Sequence, residues 1–195
     1  MKKIYIIQSC TGTILSNIIK GYTKNIYTHV SLSLDINLNN MYSFGRLNPY
    51  NPFWGGFVQE SPEYGTFKRF YNTECAIYEL EITEEQHKKL LNKIEYFEKN
   101  KESYKFNIIG LFMVVANKRR VKKNTFYCAE FVKYILKRSK INIDNLPQII
   151  KPQDFSKLNG LNKIFEGKLQ EYRLFLQKQN IENNVILKKL KTINE

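Results

Sequence analysis

The chain has 195 residues, 43% of them apolar and 14% aromatic, which excludes a disordered chain and provides one substantial core, with little left for a second. Its 31 Lys and Arg against 18 Asp and Glu give a formal net charge of +13, which points to anionic partners such as nucleic acid, an anionic lipid surface or an acidic polymer. Three cysteines, Cys10, Cys75 and Cys128, are odd in number and lack metal-ligand spacing, so neither a disulfide framework nor a metal site is expected, and no cofactor is implied.

Residues 3–8 read as a β-strand after the basic start Met1-Lys2-Lys3. The apolar run Ile4-Tyr5-Ile6-Ile7 stops at Gln8, short of the roughly 7 to 15 residues of a signal-peptide core and the roughly 20 of a membrane span, so a cytoplasmic location is expected. A turn at residues 9–13, carrying Cys10, leads to a short helix over about 14–22 with Ile14, Leu15, Ile18 and Ile19 on one face. Tyr27 to Leu34 alternates strictly, with Val30, Leu32 and Leu34 on one face and His29, Ser31 and Ser33 on the other. The polar residues 35–40 join it to 41–45, which predicts a hairpin with His29 on its polar face.

Residues 46–66 carry Pro49, Pro52, Pro62, Gly55, Gly56 and Gly65 together with Tyr50, Phe53, Trp54 and Phe57, and read as a structured aromatic loop that either caps the core or shapes a substrate cleft. Residues 75–82 alternate as a strand with Cys75 buried and inert. Thr83-Glu84-Glu85-Gln86 forms a capping box that opens a helix to about residue 101, with His87 solvated in its first turn. The apolar run 107–116 is core. Between residues 117 and 140 stand nine Lys and Arg against Glu130 alone, a stretch suited to an anionic surface or ligand; no motif for a specific nucleic acid accompanies it. A helix begins at Cys128, with Phe131, Val132, Ile135 and Leu136 as its buried face. Pro152 starts a further short helix, residues 161–172 return to the sheet, and 174–193 form a helix that docks on the core or on a second copy. The organisation expected is one domain over 1–173 with a helical extension, 174–195, packed on it.

Cys128 lies behind Phe126 and Tyr127 at a helix N-terminus, where unpaired N–H groups and the helix dipole favour a thiolate. A thiolate attacks an acyl carbon while an imidazole takes the thiol proton and returns one to the leaving group, and His29 suits that role. A third polar group would fix the imidazole. Ser43, across the hairpin from His29, is the first choice, with Glu60 and Asp35 as alternatives.

Four segments in this order, residues 11–16 (TGTILS), 27–35 (YTHVSLSLD), 42–46 (YSFGR) and 126–132 (FYCAEFV), resemble the circularly permuted NlpC-like cysteine hydrolases of the YiiX-like group. The resemblance runs over about residues 3–172. It implies an α+β, papain-like fold in which an antiparallel sheet carrying the histidine precedes the cysteine helix and packs against helices, with Cys128 as nucleophile, His29 as base and Tyr127 contributing to the oxyanion site. Ser43 matches by position the polar residue that follows the histidine, and Glu130 a hydrogen-bonding position. The activity expected is hydrolysis of an amide in a peptide or peptidoglycan fragment through an acyl-enzyme, with Trp54 and Arg46 as substrate-binding candidates. The alternatives are a lipid ester hydrolase or acyltransferase, as in the lecithin retinol acyltransferase-like relatives of this permuted fold, and a binding module in which Arg46 or the basic stretch holds an anionic ligand.

Overall fold

The computed structural model describes residues 1–13, 16–17, 20–21, 26–48, 50–115, 118 and 122–193, with the side chains at 52–53, 112, 115 and 183–193 excepted. The helix expected over 14–22 falls mostly outside the described residues, as do Arg119 and Arg120 of the basic stretch.

The fold is α+β. In chain order the strands and helices are β1 (Lys2–Cys10), β2 (His29–Ser33), β3 (Met41–Asn48), β4 (Asn51–Glu60), α1 (Gly65–Arg69), β5 (Glu74–Ile82), α2 (Glu84–Lys99), β6 (Lys105–Phe106), α3 (Ile108–Val115), β7 (Thr125–Phe126), α4 (Cys128–Arg138), β8 (Leu161–Lys168) and α5 (Tyr172–Ile193). Six strands form one antiparallel sheet in the order β4-β3-β2-β1-β5-β8, and β6 and β7 form a short parallel pair. Among the described residues no helix is long and apolar enough to cross a membrane.

β1 is central because its apolar run is unbroken: Ile4 and Ile6 enter the larger core on one face, while Tyr5 and Ile7 enter a smaller one on the other. The larger core joins Val30, Leu32 and Phe44 of the sheet to Leu90, Ile94 and Phe97 of α2 and to Phe131, Val132, Ile135 and Leu136 of α4. Phe44 and Phe97 are its aromatic hub, with ring centroids 6.1 Å apart and both rings against Phe57, Phe126 and Phe131. Burying one such ring contributes roughly 1.5–3 kcal/mol. The smaller core sets Leu38, Met41, Phe67, Cys75 and Ile77 against Leu169 and Tyr172 at the start of α5.

The capping box at α2 forms as the sequence predicts, with Thr83 Oγ1 accepting from the Gln86 N–H at 3.1 Å and Gln86 Oε1 accepting from the Thr83 N–H at 2.9 Å. A 3-10 helix, Pro152–Lys157, begins at the expected proline. Cys10 closes β1 and does not sit in a turn. Residues 51–60, read from sequence as part of a loop, are a ten-residue strand at the sheet edge. β4 pairs with β3 from Met41–Glu60 to Asn48–Asn51.

Candidate active site

Three strands and a helix converge where β2 begins. His29 is the first residue of β2 and pairs with Ser9 near the end of β1, and α4 packs across β2 so that its first residue, Cys128, arrives beside the imidazole. α4 itself follows from its apolar stripe, which fixes the face it buries, while Lys137 and Arg138 in its last turn suit the negative end of the dipole. Glu130 Oε2 accepts from the Tyr127 N–H at 3.4 Å and tethers the chain entering the helix.

The imidazole is held from two sides. Its Nε2 lies 3.1 Å from each oxygen of Glu60, and Cys128 stands close enough to the ring to act on its charge. Ser31 Oγ donates to Glu60 Oε2 at 2.6 Å and fixes the carboxylate in turn. Cys128 is 3% exposed, Glu60 8%, and the His29 side chain 19%. Burial works against a charge on His29, but the carboxylate of Glu60, the neighbouring Cys128 sulfur and the hydrogen bond the ring donates to Glu60 outweigh it and raise the imidazole from 6.5 to about 10. The cationic form of the ring is thus favoured beside the Glu60 carboxylate.

Glu60 reaches the ring across an intervening strand. In the sheet β3 separates β4 from β2, and strand centres lie about 4.8 Å apart, so the Glu60 side chain must pass over β3. The residue of β3 between Glu60 and His29 is Gly45. A Cβ on Gly45 would lie 3.2 Å from Glu60 Oε1 and 3.5 Å from His29 Cε1. Register supplies the direction: Glu60 pairs with Met41 and Met41 with Ser33, placing all three on the face that carries Ser31 and His29.

Ser43 does not orient the histidine. The β2–β3 ladder runs only over Leu32–Tyr42 and Ser33–Met41, and beyond it Ser43 Oγ donates to the Val30 carbonyl at 2.8 Å, replacing a ladder bond. The hydroxyl is consumed by the backbone, and the place beside the ring belongs to Glu60. Asp35, the other alternative, is occupied in the hairpin turn, where it accepts from the N–H groups of Asn39 and Asn40 and from Ser33 Oγ.

Cys128, His29, Glu60 and Arg46 line one cavity of about 80 Å³, together with Gly45, Phe67, Leu111 and the hydroxyl-bearing Thr11, Ser16, Thr28 and Thr66. Trp54 is elsewhere: it is 59% exposed and lines a separate depression of about 630 Å³ with Leu47, Phe57, Tyr104 and Phe106, which contains neither the thiol nor the imidazole. Tyr127 is also outside the cavity. Its side chain is buried and its hydroxyl donates to the Ile150 carbonyl at 2.9 Å, so the residue pins the chain ahead of the 3-10 helix to the start of α4. Of the six residues singled out by the sequence, Cys128, His29 and Arg46 come together, while Ser43, Tyr127 and Trp54 do not.

Cys10 and Cys75 are both buried, and neither lines this cavity. Cys75 is fully buried in β5, and burial pushes its thiol up to about 12. Among the described residues no cluster of three or more His, Cys, Asp or Glu could hold a metal ion. Comparison of the chain with protein-family models finds no match, and comparison with curated proteins finds none.

Proposed function

We propose that the protein is a cysteine hydrolase that cleaves an amide through an acyl-enzyme on Cys128. The observation that carries this reading is Cys128, His29 and Glu60 lining one cavity, with the imidazole bonded to the carboxylate and the sulfur acting on the charge of the ring. The order of parts, a histidine strand ahead of a cysteine helix, supports a circularly permuted, papain-like NlpC-type hydrolase of the YiiX-like kind.

In the reactive form the thiol proton has already passed to His29, leaving a thiolate whose charge is balanced by the imidazolium and by the N-terminus of α4. Sulfur attacks the acyl carbon, and the oxyanion that develops faces the first N–H groups of α4, which have no partner inside the helix. His29 then protonates the departing amine and the acyl-enzyme forms. Water, deprotonated by His29, attacks the thioester and releases the acid and the free thiol. Glu60 keeps the ring oriented and stabilises its charge throughout, as the carboxylate of a catalytic triad does.

An amide is favoured over a long-chain lipid ester because the cavity is small and rich in hydroxyls, with Arg46 and Glu60 in its wall. A carboxylate at the third position, Glu60 against His29, favours a hydrolase over a module that only binds an anion. Incubation with p-nitrophenyl acetate followed by intact-protein mass spectrometry tests the proposal. Wild type is expected to acquire an acetyl group mapped to Cys128, Cys128→Ala to acquire none, and His29→Ala to acylate about 10²–10⁴-fold more slowly. Acetylation spread over lysines with Cys128 untouched would overturn it.

A further inference from the structure

We infer, building on the cysteine-hydrolase reading, that the site takes substrates bearing a carboxylate next to the scissile bond, and that Arg46 receives it. Arg46 lies in β3 beside Gly45 and lines the same cavity as Cys128 and His29. The residue is only half-exposed, yet among the described residues no carboxylate stands within ion-pair distance of it. Glu60 is the one acid lining the cavity, and its oxygens are engaged by His29 and Ser31.

Among the described residues the guanidinium makes one hydrogen bond, from Nη2 to Thr13 Oγ1 at 2.7 Å, a neutral acceptor. Its other N–H donors have no acceptor among those residues and can serve a ligand. Its Cζ stands 5.7 Å from the Phe70 ring centroid. Arg69 reinforces the positive field at the rim, with its own Cζ 3.8 Å from the Tyr50 ring centroid and 5.5 Å from that of Phe70. Burial first, and then the like charge of Arg69, lower the pKa of Arg46, so its cationic form is destabilised. A bound anion would offset both effects.

The planar fork of a guanidinium matches the two oxygens of a carboxylate. Size sets the same preference: about 80 Å³ admits a few heavy atoms, enough for a carboxylate beside a reacting carbonyl. A carboxylate here would lie across the cavity wall from the thiol, so that the anion positions the acyl carbon for attack.

Iodoacetate and iodoacetamide form a matched pair of probes that differ only in carrying a carboxylate or its neutral carboxamide. In each reaction the Cys128 sulfur bonds to the reagent methylene carbon, the carbon–iodine bond breaks and iodide leaves. Rates at Cys128 are followed by peptide mass mapping, with N-acetylcysteine as the reference thiol. The iodoacetate-to-iodoacetamide rate ratio is expected to be about tenfold higher for Cys128 than for the reference, the size of one charge-assisted pair. Arg46→Gln is expected to return the ratio to the reference value. A wild-type ratio equal to the reference, or one that survives Arg46→Gln, overturns the proposal.

A second measurement needs no variant. Acetate, but not acetamide, is expected to slow the alkylation of wild-type Cys128 by iodoacetamide, and equal effects of the two overturn the anion site. The two readings fail separately. If both reagents react with Cys128 no faster than with the reference while the ratio stays high, the carboxylate site stands and the activated nucleophile falls. A Cys128 that neither reagent alkylates sinks both.

Discussion

Glu60 touches His29 with both carboxylate oxygens at 3.1 Å and is itself held by Ser31 at 2.6 Å, and it is the largest of the influences that favour a charge on the ring. Glu60→Gln keeps the shape and removes the charge. Acylation of Cys128 by p-nitrophenyl acetate is expected to slow by about 10²–10⁴, as when a triad carboxylate loses its charge. A purely structural role would leave the titration of the ring alone, and here it is expected to fall from about 10 toward the ordinary 6.5, read by NMR of the imidazole protons. The same shift makes stability depend on pH. The folded value lies above the unfolded one, so the His29 contribution is complete below 6.5 and is lost as pH rises through about 10. Wild-type Tm is expected to decline across that window, and the Glu60→Gln protein, less stable at its acidic end, to decline less; parallel curves would refute the assignment. Cys128 and His29 were legible in the sequence because each sits at a recognisable place, a helix start and an alternating strand. Glu60 was legible only as one alternative among three, because its role depends on the register of a strand two positions away in the sheet.

At the scale of elements, β3 and β4 hold the reason that register was hard to read. The segment Asn51–Glu60 contains Pro52, Gly55 and Gly56, residues that lower strand propensity and normally punctuate loops. In this fold Gly55 is required by close approach. A Cβ on Gly55 would lie 2.8 Å from the Gly45 carbonyl oxygen and 2.9 Å from Phe106 Cβ, contacts that only a backbone shift could relieve. Tertiary packing therefore overrides local propensity, and a loop signature becomes an edge strand. The same contacts separate two kinds of glycine by experiment. Gly55→Ala is expected to destabilise the protein by about 1–3 kcal/mol in denaturant unfolding, since the neighbour is backbone. Gly45→Ala meets the end of the Glu60 side chain at 3.2 Å, which can move, so its expected cost is under about 1 kcal/mol. Its activity should suffer more, with acylation of Cys128 reduced roughly tenfold because moving Glu60 disturbs His29. A Gly45→Ala protein with unchanged acylation, or a Gly55→Ala protein as stable as wild type, would break the link between these glycines and the site.

At the scale of the whole molecule, the sheet carries two unequal cores. The larger is closed by α2 and α4 and delivers Cys128, whereas the smaller is closed by α1, residues 169–172 and the first turns of α5. The apolar periodicity of 174–193 announced a helix, but its boundary falls earlier, at Tyr172, because that residue belongs to the core and not to an appendage. Its ring lies 5.2 Å from Phe165 and 6.1 Å from Phe175, centroid to centroid, and is 2% exposed. The hydroxyl is a different matter, since among the described residues it is buried with no hydrogen-bond partner. Ring and hydroxyl thus act in opposite directions: packing stabilises the joint between sheet and helix, while the desolvated oxygen weakens it. Two substitutions separate them. Tyr172→Ala is expected to cost about 3–5 kcal/mol through the cavity left behind. Tyr172→Phe keeps the ring, removes the unpaired oxygen and is expected to be neutral or stabilising by up to about 1 kcal/mol, measured by urea unfolding with the acylation rate of Cys128 as a control on the distant core. A Tyr172→Phe protein destabilised by more than about 1 kcal/mol would mean that the hydroxyl carries a stabilising bond, and the joint would rest on polar contacts instead of ring packing.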